Sequence, residues 1–186
     1  MSPPGASRQP RVSEREVVAT TAAYLQALGY RVYPNPDSND YFDLVARKGN
    51  EVGLVEAKVS NSRAVLLQAL RRRAWGDWVS VVLPSETAAA RLAARTDGTR
   101  ASPVGVWAAV DGTVRVVRAA AAWVAPGEED PYEELRERFR TVLDRIDSGE
   151  LPADVRWAGV VGAVRRASGG RGFKEWRLDE PSARDR

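Results

Sequence analysis

Two short stretches decide the fold prediction: Tyr41-Phe42-Asp43-Leu44-Val45 and Leu54-Val55-Glu56-Ala57-Lys58. Each has the apolar and aromatic content of a buried strand. Lys48-Gly49-Asn50, which lies between them, is typical of a tight hairpin turn. We therefore predict two antiparallel strands, over residues 41–47 and 51–59.

Three charged residues interrupt these apolar stretches. Alternate residues of a strand point to the same side, so Glu56 and Lys58 emerge together, and Asp43 can converge with them from the neighbouring strand. Charges in strands that otherwise look buried are costly unless they serve one another or a metal ion. Two converging carboxylates make an oxygen site for Mg²⁺ or Mn²⁺. A lysine beside such an ion can position water and stabilise negative charge on phosphorus, as metal-assisted phosphodiester hydrolysis requires.

The composition excludes several other chemistries. The 186 residues include no histidine and no cysteine, which rules out His-based triads, thiol nucleophiles, Cys/His zinc sites and disulfides. Among 28 basic residues the lysines are Lys48, Lys58 and Lys174 alone, so each lysine stands out from an arginine-rich background. A net charge of +3 permits binding to nucleic acid without arguing for it. The absence of a readable signal peptide, of a membrane-length apolar run and of cysteine leads us to expect a cytoplasmic protein.

The flanking segments predict a mixed α/β fold. Ser13 and Glu16 form a capping-box pattern that begins a helix, which Gly29 ends. The element order α-β-β-β-α-β-α-β-β indicates a mixed central sheet flanked by helices. The other predicted elements are strands at 30–33, 78–83, 104–110 and 113–118, and helices at 63–75 and 85–95.

The chain divides by composition into five parts. We expect a disordered leader at 1–11, a main domain at 12–118, a linker at 119–131, a small helix-helix-strand module at 132–180 and a tail at 181–186. Within this module we predict helices at 131–146 and 157–167 and a strand at 173–178. The module is expected to pack on the main domain or on a protein partner. A winged-helix-like DNA-binding extension is the alternative.

The motif residues resemble a known family. Asp43 followed thirteen residues later by Glu56-Ala57-Lys58 is similar to the PD-(D/E)xK nuclease superfamily, which has a restriction-endonuclease-like fold. The wider arrangement, with an acidic first helix and Gly29-Tyr30 before the strands, is nearest to Holliday junction resolvases. The resemblance covers residues 13–118.

This resemblance implies roles for the motif residues. Asp43 and Glu56 would bind Mg²⁺ or Mn²⁺, and the carbonyl of Ala57 would be a third ligand. Lys58 would orient or activate the attacking water. DNA would be the substrate.

Further site residues follow from the same resemblance. The acid of the first helix corresponds best to Glu16, with Glu14 as the alternative, and Gln68 matches a glutamine that several branches place near the site. Two departures are visible. Phe42 stands where the nominal motif has proline, and Arg72 stands where some branches carry an aromatic residue.

Basic residues cluster after the motif and again near the end of the chain. We predict that these residues contact DNA phosphates, with a solvated, arginine-rich helix face as the alternative reading. They are Arg63, Arg71, Arg72, Arg73, Arg165, Arg166, Arg171 and Lys174.

Three functions stay open at this point. The first is a metal-dependent DNA endonuclease, and the second is a nuclease-fold protein that binds DNA or a partner without cutting. The third is an unrelated α/β interaction domain in which Glu56 and Lys58 are structural. A homodimer is a further open expectation.

Overall fold

The computed structural model of the chain describes residues 12–33, 35, 41–59, 63–121, 123 and 129–168. In these ranges six strands form one mixed sheet with five flanking helices, which confirms the predicted α/β class. The helices are α1 Glu14–Ala27, α2 Arg63–Arg72, α3 Glu86–Thr96, α4 Glu133–Asp147 and α5 Trp157–Ala167. The strands are β1 Arg31–Tyr33, β2 Leu44–Lys48, β3 Glu51–Ala57, β4 Trp78–Leu83, β5 Gly105–Val110 and β6 Thr113–Arg118.

The strands lie in the sheet in the order in which they occur in the chain. β1, β2 and β3 are antiparallel neighbours, β4 and β5 run parallel to β3, and β6 returns antiparallel to β5. The helices α2 and α3 make the two parallel connections, which need a crossover. Asp111-Gly112 makes the last hairpin with φ angles of 50° and 72°, the left-handed pair that a two-residue hairpin turn favours.

The two faces of the sheet are covered unequally. One face packs against α1, through residues such as Leu44 and Val55 of the central hairpin. Their neighbours Val45 and Leu54 point to the opposite face, which packs against α2, α3, α4 and α5. None of the described helices is both long and apolar enough to cross a membrane.

The last two helices share the core of the sheet. Phe139 of α4 and Trp157 of α5 are fully buried, and their ring centroids lie 5.6 Å and 6.1 Å from that of Phe42. The predicted linker at 119–131 therefore does not separate two hydrophobic cores. Of the two expectations for residues beyond 132, packing on the main domain describes α4 and α5. The predicted strand at 173–178 and the leader at 1–11 lie outside the described residues.

Both strands of the motif hairpin are shorter than predicted, and this shapes the site. β2 begins at Leu44, so Asp43 precedes it, and β3 ends at Ala57, so Lys58 follows it. The Asp43 carboxylate itself accepts the backbone N–H of Ala57, at 2.8 Å. The Asp43 side chain thus bonds to β3 just beyond the point where its pairing with β2 ends, while pairing with β4 continues.

We predict that Gly53→Ala destabilises the fold. A Cβ at Gly53 would lie 1.9 Å from the Trp78 ring, which is itself packed against Tyr30 and Trp107. Overpacking of this kind costs about 1–3 kcal/mol in free energy of unfolding, measurable by urea denaturation. The matched control is Gly159→Ala in α5, where a Cβ meets nothing within 4 Å. This control should stabilise the protein by about 0.5–1 kcal/mol, and a Gly53 variant as stable as the wild type would refute the packing argument.

Candidate active site

Two largely buried carboxyl groups lie near the same end of the motif hairpin: Asp43 precedes the first residue of β2, and Glu56 is the second-last residue of β3. The last pair of the β2–β3 register is Leu44 with Val55, and Asp43 and Glu56 each lie one residue beyond this pair. The charge of Asp43 contributes to raising the pKa of Glu56, as neighbouring carboxyl groups do. Asp43 is 8% exposed and Glu56 is 2% exposed, so both charges are largely removed from water.

Asp43 is held by the end of β3. Its Oδ2 accepts the backbone N–H of Ala57 at 2.8 Å and lies 3.4 Å from Nζ of Lys58. Burial raises the pKa of the Asp43 carboxyl, although Lys58 and the Ala57 N–H act in the opposite direction. The two neighbours therefore offset part of the effect of burial, and the pKa of Asp43 stays above its ordinary value.

Lys58 bridges Asp43 and the first helix. Its Nζ lies 3.1 Å from Oε1 of Glu14 as well as 3.4 Å from Asp43. Burial lowers the pKa of this ammonium group, but the charges of Asp43 and Glu14 outweigh it, so the pKa is raised overall. A protonated Lys58 can orient water and stabilise negative charge, but it cannot accept a proton.

Glu56 is paired with an arginine of α2. Nε of Arg72 lies 2.9 Å from Oε1 of Glu56, whose side chain is buried, and the Arg72 side chain is mostly covered. Burial raises the pKa of Glu56 to about 7, with Asp43 adding to the rise and Arg72 opposing it. The sequence did not lead us to predict this pairing. A glutamate in a strand that otherwise looks buried does indicate that a cation lies nearby, but it does not say which one.

The structure places Glu14, rather than Glu16, next to Lys58. Glu16 accepts the backbone N–H of Ser13 at 2.7 Å and its hydroxyl at 2.8 Å, which confirms the predicted capping box. These bonds lower the pKa of Glu16 and keep it at the start of the helix. Gln68 is half-buried on α2, one turn before Arg72.

The predicted DNA-contacting arginines are found in different environments. Arg72 stacks on Tyr41 with 3.7 Å between guanidinium carbon and ring centroid, and Arg165 donates to the Tyr41 hydroxyl at 2.7 Å. Arg73 lies over the ring of Tyr132, at 5.3 Å. These three arginines are thus packed within the fold. Arg71 and Arg166 are exposed, whereas the side chain of Arg63 and all of Arg171 and Lys174 lie outside the described residues.

A metal ion at this site would have to be held by the carboxyl pair together with ligands other than protein carboxylates. Within the described ranges no group of three or more His, Cys, Asp or Glu residues could hold a metal ion. Oδ1 of Asp43 and Oε2 of Glu56, however, accept no hydrogen bond from any described residue. Two carboxylate oxygens completed by a backbone carbonyl, such as that of Ala57, and by water or phosphate are a donor set that Mg²⁺ accepts.

Comparison of the chain with protein-family models, with curated proteins and with solved structures gave no match. The resemblance to PD-(D/E)xK nucleases therefore rests on the residues of this chain.

We predict that Glu56 makes folding stability pH-dependent. The folded state favours the protonated carboxyl, because its pKa is about 7 instead of 4.5. The resulting stability is fully present below pH 4.5 and is lost as the pH rises through 7, by roughly 3 kcal/mol. In Glu56→Gln, which cannot ionise, this loss should disappear from urea denaturation curves measured across that range.

The matched control for this experiment is Glu51→Gln, on the exposed end of the same strand. It should keep the pH slope of the wild type. An unchanged slope in Glu56→Gln would show that Glu56 is not the group responsible.

Proposed function

We propose that this protein is a metal-dependent DNA endonuclease. Its site for phosphodiester hydrolysis would be formed by Asp43, Glu56 and Lys58. The observation that supports it best is the convergence of two buried carboxyls and one ammonium group at the end of a hairpin. Burying charge is costly, and a purely structural ion pair needs only one carboxyl for each cation. Here Asp43 and Glu14 share Lys58, and the hydrogen bonds of the described residues involve Oδ2 of Asp43 and Oε1 of Glu56 but not the second oxygen of either group.

Each residue of the site has a role in this proposal. Asp43, Glu56 and the Ala57 carbonyl would hold Mg²⁺ or Mn²⁺. When bound, such an ion polarises a phosphoryl oxygen and lowers the pKa of a coordinated water. Lys58, held as a cation between Asp43 and Glu14, orients the attacking water and offsets the charge that develops on phosphorus. Gln68 and the predicted role of Glu16 stay expectations from the resemblance.

DNA would be bound mainly through its phosphates. Arg71 on α2 and Arg166 on α5 are exposed cations on the two helices that also carry Arg72 and Arg165. Phosphate contacts position DNA without reading its sequence, so specificity would come from DNA shape or from a partner. A cytoplasmic location, a homodimer and a protein partner for residues 132–180 belong to this proposal as further expectations.

One observation favours a second function. Arg72 already neutralises Glu56, which is the arrangement expected of a nuclease-fold protein that binds DNA or a partner without cutting. In that case the site would be a set of internal ion pairs.

We predict metal-dependent DNA cleavage that is lost in Asp43→Asn and Lys58→Met. Plasmid, branched and single-stranded DNA would be incubated with Mg²⁺, Mn²⁺ or EDTA, and cleavage rates measured on gels. Each variant removes a charge that acts on the reacting phosphate, so the rate should fall at least about 100-fold. Lys48→Met is the matched control, because Lys48 is exposed at the turn of the same hairpin and donates to the carbonyl of Leu28 at the end of α1.

The outcomes separate the functions. Cleavage that persists in both site variants would refute the assignment. DNA binding without cleavage in any metal would favour the second function. Neither binding nor cleavage would leave an α/β interaction domain in which the same charges are structural.

A further inference from the structure

Glu56 has a resident cation that comes from outside the motif. Arg72 donates its Nε–H to Oε1 of Glu56 at 2.9 Å, and the two side chains are 11% and 3% exposed. A buried carboxylate without a partner is strongly unfavourable. Arg72 therefore allows Glu56 to be charged inside the folded chain.

Arg72 is itself fixed by the C-terminal helices. Its guanidinium stacks on the Tyr41 ring. Arg165 of α5 donates to the hydroxyl of Tyr41, and its guanidinium carbon lies 5.4 Å from the centroid of the same ring. Arg136 of α4, which is 7% exposed, donates to the carbonyl of Arg73 at 2.9 Å, immediately after α2 ends. Arg72 is thus held in place by the Tyr41 ring on which it stacks and by the contact of Arg136 with the end of α2.

A divalent ion on Glu56 would compete with this arginine. A cation bound to the Glu56 carboxylate would lie a few ångströms from the guanidinium, and like charges at that distance repel strongly in a site with little water. The cluster holds three carboxyls, Asp43, Glu56 and Glu14, against the cations Lys58 and Arg72. At alkaline pH, with all three carboxyls ionised, the cluster carries a net negative charge, which favours replacing the single charge of Arg72 by the double charge of a divalent ion.

We propose that Arg72 is a built-in counter-ion that occupies Glu56 until a divalent metal binds, and that metal binding moves Arg72 off this carboxylate. The proposal rests on the proposed function, since it concerns the same metal. Stacking on Tyr41 does not depend on Glu56, so the displaced guanidinium keeps its place on the ring. Its N–H groups are then available to a DNA phosphate.

The first test measures metal binding without DNA. Mn²⁺ would be titrated into the wild type, Arg72→Met and Arg71→Met at alkaline pH, and free Mn²⁺ followed by electron paramagnetic resonance. Arg72→Met should bind Mn²⁺ at least tenfold more tightly than the wild type, because the competing cation is gone. Arg71→Met, which removes an exposed charge from the adjacent position, should change the affinity less than twofold.

The second test uses the wild-type chain, since Arg72→Met leaves Glu56 unpaired and can lower stability. The Nε–H resonance of Arg72 would be assigned by its loss in Arg72→Lys and then followed during Mg²⁺ addition. If Arg72 leaves Glu56 when Mg²⁺ binds, the chemical shift of this resonance should change in proportion to the fraction of protein that holds the metal. A resonance that stays unchanged while Mg²⁺ saturates the site would overturn the proposal.

Failure of this inference can be told apart from failure of the proposed function. If the wild type binds Mn²⁺, Asp43→Asn abolishes binding and Arg72→Met binds no more tightly, the counter-ion proposal is wrong and the metal site stands. If wild type, Arg72→Met and Arg71→Met all fail to bind Mn²⁺, the metal site is wrong and the counter-ion proposal falls with it.

Discussion

The packing of the Phe42 ring joins the sheet, α2 and the C-terminal helices at one point. The ring is fully buried and meets Trp75, Phe139 and Trp157 at centroid distances of 6.3, 5.6 and 6.1 Å. Its neighbours in the chain are Tyr41 and Asp43. The same ring contacts that bury the core therefore position a site carboxyl on one side and the ring beneath Arg72 on the other. Because such interiors are densely packed, they hold neighbouring side chains in defined positions.

The charges above this core form two coupled groups. One links Asp43 to Glu14 through Lys58, and the other links Glu56 to Arg72. Removing one partner of a buried pair costs more than the pair itself contributes, so each charge constrains the elements that carry its partner. The arrangement joins α1, the hairpin and α2 around the carboxyls. The helices α4 and α5 carry none of the motif residues, but they contact the residues next to them: Arg165 donates to Tyr41, and Arg136 donates to the carbonyl of Arg73.

Local sequence patterns predicted many of the strands and helices. They did not predict which side chains from distant parts of the chain would pair with one another. β4 and β6 have the predicted bounds, since an apolar run closed by proline and a hairpin at Asp111-Gly112 are local signals. Asp43 and Lys58 approach each other to 3.4 Å, but both lie just outside the paired strands, so strand alternation alone does not set the directions of their side chains. The capping-box pattern predicted that Glu16 serves the start of α1, but the approach of Glu14 to Lys58 depends on how α1 packs against the hairpin, which this pattern does not give. The pairing of Arg72 with Glu56 was also not predicted, because Arg72 stands sixteen positions later in the chain, at the end of the crossover helix α2. An amphipathic pattern likewise predicts a buried helix face without naming the surface that buries it.

The position of α4 and α5 late in the chain has a consequence for biosynthesis. The ribosome releases the hairpin and α2 well before Phe139 and Trp157, and chains gain structure from the N-terminal side as they emerge. The motif residues are therefore made early, whereas the contacts that complete the Phe42 cluster and secure Tyr41 through Arg165 come last. A nascent or prematurely terminated chain would carry every motif residue without the packing that holds them in place. Assembly of this site is thus tied to completion of the chain through α5.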